Sequence, residues 1–392
     1  MSEAYIVSAL RTAGGRRNGL LSGWHAVDLG AALIDGLVAQ TGVDPAAVDD
    51  VILGCVGQVG EQAANVARNA VLGSSLPESV PGTSVDRQCG SSQQCLHFAA
   101  QAVMSNTHDI VIAGGVESMS RVPMGSPVTL ASQAKLGTYM SPNIGRRYPD
   151  VAMFSQFQGA EMVAEKYDLT RDALDAFALE SHRRAQRATE DGAFAAEILP
   201  VEARDADANV GGMHTVDEGI RADATLSSIA SVKLLAEGGR ISAATASQIC
   251  DGASGVMVVN ERGLKLLGVE PLARIHHMSV LGHDPVVMLE APLPATVNAL
   301  DKTGLGIDDI DLFEVNEAFA SIPLAWLAAT GADPARMNIH GGAIALGHPL
   351  GASGTKLMAT LVHGLHRHGG RYGLQTMCEG GGMANVTIIE RL

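Results

Sequence analysis

Two cysteines and one histidine lie where this chain could support nucleophilic chemistry. Cys89 is followed by Gly90-Ser91-Ser92, Cys378 lies just before Gly380-Gly381-Gly382, and His348 lies between them in the chain, before a proline. Each follows an apolar run and precedes glycine or a helix start, the kind of edge where open α/β sheets carry reactive groups. Two thiols and an imidazole together predict transfer of an acyl group.

Cys89 is the predicted nucleophile. The apolar residues Leu96, Ala99, Ala100 and Val103 follow helical spacing, which places Cys89 at or beside a helix N-terminus. Such a position favours thiolate over thiol, and a nearby imidazole can take the proton. A free cysteine is more often a buried apolar residue, but small neighbours here leave room for a substrate. The other cysteines are predicted to be structural: Cys55, Cys95 and Cys250.

Three further features can complete such a site. The glycines that follow Cys378 and Glu379 can form a nest of N–H groups for a developing oxyanion. Pro349 keeps His348 out of the α region, away from the next helix. Asn316 ends the apolar run 312–315, and its amide can hold a water or a carbonyl, although such an asparagine is more often a turn or cap residue.

Composition limits the class of protein. The 392 residues predict two or three domains, and an apolar share of 46% can supply their cores. A formal net charge of -15 argues against nucleic acid or an anionic membrane as the main partner. Five scattered cysteines favour a reducing compartment, and the longest uncharged run, about 318–332, is too short to cross a bilayer. We therefore expect a soluble cytoplasmic protein.

Strand-like runs alternate with alanine-rich helical patterns, which predicts an α/β fold. The candidate strands are 51–53, 110–113, 255–259 and 386–389, and a second helix should follow His348. The segment from about 120 to 244 departs from this rhythm and is predicted to be an inserted subdomain with one amphipathic helix near 171–188. Its arginines are candidate phosphate contacts, although a solvated helix face is the commoner role for the first three: Arg183, Arg184, Arg187 and Arg221.

The motifs together resemble those of the thiolase family. They are Cys89, Asn316-Glu317-Ala318-Phe319, the segment 341–354 with Gly347-His348-Pro349, and Cys378-Glu379-Gly380, in that order along the whole chain. The resemblance implies two similar five-layered α-β-α-β-α halves, with an N-terminal domain at 1–270 and a C-terminal domain at 271–392. It also implies a loop domain at about 120–245 that binds coenzyme A, and a homodimer or homotetramer.

The resemblance also implies roles for individual residues. Cys89 would attack the 3-keto carbon of a 3-oxoacyl-CoA while His348 accepts its proton, and Cys378 would act as acid and then base. His348 and a water on Asn316 would stabilise the enolate, and the N–H groups of Cys89 and Gly380 would form a second oxyanion hole. Coenzyme A is then a substrate, and no metal or redox cofactor is required. Further candidate substrate contacts are Ser247, Arg221 and Phe319.

The sequence departs from the family pattern at two places. Ser91 is followed by Ser92 and Gln93 instead of glycine and a large apolar residue, and the His-Met-Gly of short-chain biosynthetic members is missing near 155–161. These departures favour a degradative enzyme acting on fatty-acid or steroid-type acyl groups, with a short-chain acetyl-CoA C-acetyltransferase as the alternative.

Three other classes fit less well. A cysteine protease has no role for a second thiol and places its histidine before its asparagine. A decarboxylating synthase on the same scaffold would replace Cys378, and a lipid carrier would be expected to lose Cys89 or His348.

Overall fold

The computed structural model describes residues 2–207 and 210–392. The strands are β1 (Tyr5–Arg11), β2 (Gly15–Arg16), β3 (Asp50–Gly54), β4 (Gly82–Val85), β5 (Ile110–Ser118), β6 (Val201–Arg204), β7 (Val210–His214), β8 (Cys250–Val259), β9 (Ala273–Gly282), β10 (Leu312–Val315), β11 (Tyr372–Glu379) and β12 (Met383–Glu390). The helices are α1 (Ala26–Thr41), α2 (Val66–Gly73), α3 (Ser91–Met104), α4 (Ser126–Gln133), α5 (Pro142–Arg147), α6 (Gln156–Lys166), α7 (Arg171–Glu190), α8 (Leu226–Ala230), α9 (Glu261–Leu267), α10 (Pro292–Thr303), α11 (Ser321–Thr330), α12 (Ala343–Leu346) and α13 (Ser353–His368). Within the described ranges, no helix is both long enough and apolar enough to cross a membrane.

A large mixed sheet forms the centre of the molecule. Its strands run in the order β10-β11-β12-β9-β1-β8-β5-β3-β4, with β2 added beside β8. The strands β4, β3 and β5 are mutually parallel, as are β10 and β11, and the remaining pairs are antiparallel. Tyr5 and Ile6 of β1 pair with both β8 and β9, which joins the two halves of the sheet. The α/β prediction is confirmed, and all four predicted strands lie within observed ones.

Helices α3 and α13 are buried, and their N-terminal ends lie close together. α13 packs against α3 and against β1, β8 and β11, and most of its side chains are buried. Gly54, at the end of β3, allows this approach: a Cβ there would lie 2.6 Å from both the Ser92 amide nitrogen and the Gly351 carbonyl oxygen. Each of these helices follows a loop that carries one of the predicted reactive residues, Cys89 or His348.

The inserted segment contains more structure than the sequence predicts. α7 confirms the helix expected near 171–188, and Thr170 caps it by accepting from the Ala173 amide. The prediction of a single helix is wrong, because α4, α5, α6 and α8 and the β6–β7 hairpin also lie here. These helices are short, and α4 and α5 are largely exposed, so they lack the apolar periodicity that would mark them. Residues 208 and 209 of the segment lie outside the described residues.

Two of the candidate phosphate-binding arginines on α7 have protein partners. Arg184 donates to the carbonyls of Met337 (2.5 Å) and Asn338 (3.4 Å) and pairs with Glu180. Arg187 also pairs with Glu180, and it is more than half exposed. Arg184 therefore ties the inserted segment to the C-terminal half, which is a structural role rather than contact with a phosphate.

Candidate active site

Cys89 lies in a tight turn between β4 and α3. The Ser91 hydroxyl donates to the Gln88 carbonyl at 2.6 Å and accepts from the Arg87 amide at 2.9 Å. Gln88 has a left-handed backbone, with φ at 51°, so the chain turns sharply just before the thiol. Gly90 is the N-cap of α3, and Cys89 thus precedes the helix as predicted.

The expectation of a stabilised Cys89 thiolate is wrong in the resting site. Cys89 is buried in an apolar cluster, and this burial raises the pKa of its thiol to about 12, with the charge of Glu379 adding to the effect. Loss of water around the sulfur outweighs the helix N-terminus. The other members of the cluster are Met119, Leu350, Leu357 and Met377. Cys89 is therefore protonated at rest, and its attack needs a base.

Cys378 lies near the end of β11, opposite Ala384 of β12. Burial, and then the charge of nearby Cys89, raise the pKa of the Cys378 thiol well above its ordinary value. Glu379, the residue after Cys378, lies against Gly90, the residue after Cys89, which brings the two thiols close together. Gly380 lies beside the nucleophile turn, because a Cβ there would meet Gln88 Oε1 at 2.9 Å. The predicted pair of cysteines comes together, although about three quarters of the chain separates them in sequence.

His348 is held through one ring nitrogen. Its Nδ1 lies 2.5 Å from the hydroxyl of Ser353, which donates its own hydrogen to the Pro349 carbonyl at 2.9 Å. The hydroxyl must then accept from Nδ1–H, which leaves Nε2 as the basic nitrogen. Nε2 is buried and has no hydrogen-bond partner among the described residues. Burial, helped by the charge of Lys356, lowers the pKa of His348 to about 3, so the ring is neutral.

Asn316 follows β10 and faces a small cavity. Its backbone N–H donates to Thr376 at 3.1 Å, but neither Nδ2 nor Oδ1 has a partner in the part of the chain that the structure describes. Gly347 and Ser353 line the same cavity, which brings Asn316 beside the loop that carries His348. Buried amides are normally satisfied by protein or ordered water. The lining of this cavity is mainly apolar, but Ser353 adds a second polar side chain beside the amide of Asn316. Asn316 is therefore placed to hold a water.

The other predicted contacts lie farther out. The Ser247 amide donates to the Ala318 carbonyl at 2.9 Å, and Phe319 forms a bridge with the residue before Ser247, so these two positions are neighbours. Phe319 is buried, with the half-exposed ring of Phe157 packed edge-on against it at 5.6 Å. Arg221 is exposed on the inserted segment, where its backbone N–H bonds His182 of α7.

Family models match nearly the whole chain. The thiolase N-terminal domain matches residues 4–262, and the thiolase C-terminal domain matches residues 269–391. The chain belongs to the thiolase family. This thiolase is an acyltransferase, and its reaction is the thiolytic cleavage of a 3-oxoacyl-CoA.

Similar proteins include several thiolases whose names give different substrates. Steroid 3-ketoacyl-CoA thiolase FadA6 of Mycobacterium tuberculosis is 54% identical, over 100% of this chain and 95% of its own. A 3-ketoacyl-CoA thiolase of Aliivibrio fischeri is 40% identical, and a beta-ketoadipyl-CoA thiolase of Escherichia coli is 41% identical, each over 100% of both chains.

Three residues near the candidate site make contacts that the sequence did not indicate. Ser353 orients His348, and Lys356 reaches the same loop from α13. The carboxyl of Glu379 is buried against Gly90, and both its oxygens lack a hydrogen-bond partner within residues 2–207 and 210–392. Ser353 could have been found from the sequence, because it lies five residues after His348 at a helix start. The burial of Glu379 and Lys356 depends on tertiary packing, so no local sequence pattern indicates it.

Proposed function

We propose that this thiolase uses Cys89 as its acyl-carrying nucleophile and Cys378 as its second acid and base. The observation that carries this proposal is that both thiols are buried and interact, while Leu350, two residues after His348, packs in the apolar cluster around Cys89. Ser353 binds Nδ1 of His348, and Nε2 has no partner among the described residues, so it can accept a proton. A thiol with a raised pKa reacts poorly unless a base takes its proton as it attacks. Neutral His348 supplies that base.

The first half-reaction forms the acyl-enzyme. The Cys89 sulfur bonds to the 3-keto carbon while its proton moves to Nε2 of His348. The carbon–carbon bond then breaks, its electron pair forms the enolate of acetyl-CoA, and Cys378 delivers a proton to that carbon. The enolate oxygen accepts from His348, now protonated, and from a water held by Asn316.

The second half-reaction returns the enzyme. Cys378, now a thiolate, takes the proton of an incoming CoA thiol, and the CoA sulfur attacks the acyl carbon on Cys89. The tetrahedral oxyanion is placed to accept from the N–H groups of Cys89 and Gly380. Gly380 suits this role because it lies next to the nucleophile turn. Shortened acyl-CoA leaves, and Cys89 recovers its proton from His348.

The acyl group is proposed to be large, as in fatty-acid or steroid-type degradation. Small residues follow Cys89, and the half-exposed Phe157 ring offers an apolar face beside Phe319. The named steroid substrate of one relative supports the same reading. Each buried methylene contributes about 0.8 kcal/mol, so kcat/KM should rise with acyl size. Assays over short, medium, branched and ring-bearing 3-oxoacyl-CoA esters test this; acetoacetyl-CoA as the best substrate would favour the short-chain acetyltransferase instead.

The inserted segment, about 120–245, is proposed to bind coenzyme A, with Ser247 and Phe319 near the pantetheine arm and Arg221 as a phosphate contact. Exposure of Arg221 supports its role, because a cation in water can meet a phosphate without first losing a partner. Arg221→Ala should raise KM for CoA and leave kcat nearly unchanged, whereas Arg187→Ala, which removes a surface pair, should change neither. An unchanged KM in Arg221→Ala would remove Arg221 from the site.

A homodimer or homotetramer is proposed from the shape of the sheet. β4 lies at one end of the sheet order, so its outer edge can pair with another strand. Light scattering on the purified protein should give a mass two or four times that of one chain, and a monomer would refute the proposal. The domain boundary near 270, the absence of a required metal or redox cofactor and a cytoplasmic location stay predictions.

A further inference from the structure

Lys356 is a buried lysine in the first turn of α13. Its ammonium lies 2.5 Å from the carbonyl oxygen of Leu346 and 3.5 Å from that of Gly347, the two residues just before His348. Only 6% of its side chain is exposed. Lysine is seldom buried, and a cation in the first turn of a helix opposes the helix dipole. The position therefore carries an energetic cost that the lysine's contacts must offset.

A shared carboxylate compensates the charge. Asp217 lies 3.5 Å from the Lys356 ammonium and also accepts from Arg11 of β1, at 2.8 Å, and from the Gly14 amide, at 2.7 Å. Arg11 is paired in turn with Glu197 at 2.6 Å. Two buried cations thus face two buried carboxylates, and this group joins β1, the inserted segment and α13.

The buried charged group of Lys356, Asp217, Arg11 and Glu197 contacts the loop that carries His348. Gly347 has φ at 80° and packs on Cys250, where a Cβ would lie 2.6 Å from the sulfur, so the loop is tightly confined on one side. Lys356 holds the other side through the two carbonyls. Its charge is also the second cause, after burial, of the low pKa of His348, and this keeps the ring neutral.

We propose that Lys356 is a positioning residue for His348, which it places against the thiols by holding the carbonyls of Leu346 and Gly347. The proposal rests on the proposed function, in which His348 takes the proton of Cys89. Lys356 itself contacts neither thiol nor substrate in this account. A displacement of about 1 Å in such a base can cost on the order of 10²-fold in rate.

The test compares three substitutions at Lys356 with a control one turn later. Lys356→Met removes the charge and the donor, Lys356→Gln keeps a donor, and Lys356→Arg keeps the charge on a larger, planar head. The control is Thr360→Val, which removes the bonds from the Thr360 hydroxyl to Glu197 (3.0 Å) and to the backbone carbonyl of Lys356 (3.3 Å) but none to the carbonyls of Leu346 and Gly347. Steady-state thiolysis, thermal unfolding and the rate of iodoacetamide alkylation at Cys89 are measured for each.

We expect Lys356→Met to lower kcat by about 10- to 10²-fold with KM within about twofold of wild type. Lys356→Arg should recover part of that loss, and Thr360→Val should lower the unfolding temperature without changing kcat. Alkylation of Cys89 should slow in Lys356→Met, because the base is displaced. This readout is independent of turnover, so it tests Lys356 even if the wild type shows no thiolase activity, an outcome that would refute the proposed function alone.

Two results would overturn the proposal. The first is a folded Lys356→Met with wild-type kcat and wild-type alkylation of Cys89. The second is failure of both neutral variants to fold while Thr360→Val folds. Lys356 would then be needed for folding stability and not for the position of His348.

Discussion

The imidazole of His348 is anchored to the hydroxyl of Ser353, with 2.5 Å between Nδ1 and Oγ. Since Ser353 also donates to Pro349, the bond selects the tautomer with its hydrogen on Nδ1 and its lone pair on Nε2. One hydroxyl, at the first residue of α13, thereby decides which nitrogen can accept the proton of a thiol.

Ser353→Ala should lower kcat by about 10- to 10²-fold, because the ring loses its orientation and its tautomer. Ser353→Thr retains the hydroxyl and is the matched control, for which kcat should be several-fold higher than for the alanine variant. Steady-state thiolysis with KM measured in parallel checks this. Equal rates in the two variants would show that the hydroxyl does not orient His348.

Cys378→Ala should still acquire an acyl group but turn over about 10²- to 10⁴-fold more slowly, since its proton donor and acceptor is gone. Cys95→Ala is the control: Cys95 is a fully buried thiol in the core around α3, so its loss should lower stability and leave turnover intact. Similar turnover in both variants would assign Cys378 to packing.

Asn316→Ala should lower kcat by about 10²- to 10³-fold, the usual effect of removing one oxyanion donor. A contrasting amide is Asn338, which bonds both the N–H and the C=O of Val315 at 2.9 Å. Asn338→Ala should therefore lower the unfolding temperature far more than Asn316→Ala does. If Asn316→Ala loses stability but keeps kcat, Asn316 is a turn residue and not part of the site.

The buried carboxyl of Glu379 should make activity fall at alkaline pH. Burial raises the pKa of its carboxyl to about 8, against the opposing charge of Arg87, so it is mostly neutral at pH 7. Once ionised, its charge raises the pKa of both Cys89 and Cys378 and disfavours their thiolates. The kcat/KM of the wild type should therefore fall as pH rises through about 8, and Glu379→Gln should keep its activity there.

The pH dependence of the free energy of unfolding gives an independent test of the pKa of Glu379. The unfolded chain loses this proton near pH 4.5, whereas the native chain keeps it until about pH 8, so the wild type loses stability as pH rises through that window. Glu379→Gln does not titrate, and its free energy of unfolding should gain on the wild type from about pH 4.5 to about pH 8 and then stay level. A constant difference between the two would place the pKa of Glu379 at its ordinary value.

Much of the site was predictable because its signals are local. His348 lies in a glycine-rich segment, Cys378 follows an apolar run, and the helices after Cys89 and His348 show clear apolar periodicity. The strands of the sheet are similarly continuous in sequence. Local pattern therefore sufficed for the class of fold and for the choice of candidate reactive groups.

The ionisation of the site was not predictable in the same way. The helix N-terminus beside Cys89 is visible in the sequence, but the burial that raises its pKa comes from residues such as Leu350 and Met377, which are distant in the chain. The same holds for Lys356 and Asp217, whose proximity depends on how the inserted segment folds back on α13. The exposed helices α4 and α5 have no apolar stripe, so they too lacked a local signal.

The acyl-enzyme tests the central claim most directly. Incubation of the wild type with a 3-oxoacyl-CoA in the absence of free CoA, followed by peptide mass mapping, should place one acyl group on Cys89, and Cys89→Ala should carry none. Cys378→Ala, in which the nucleophile is intact, should carry the label on Cys89 as well. An acyl group found on Cys378 or Cys95 of the wild type, or retained in Cys89→Ala, would contradict the assignment of the nucleophile.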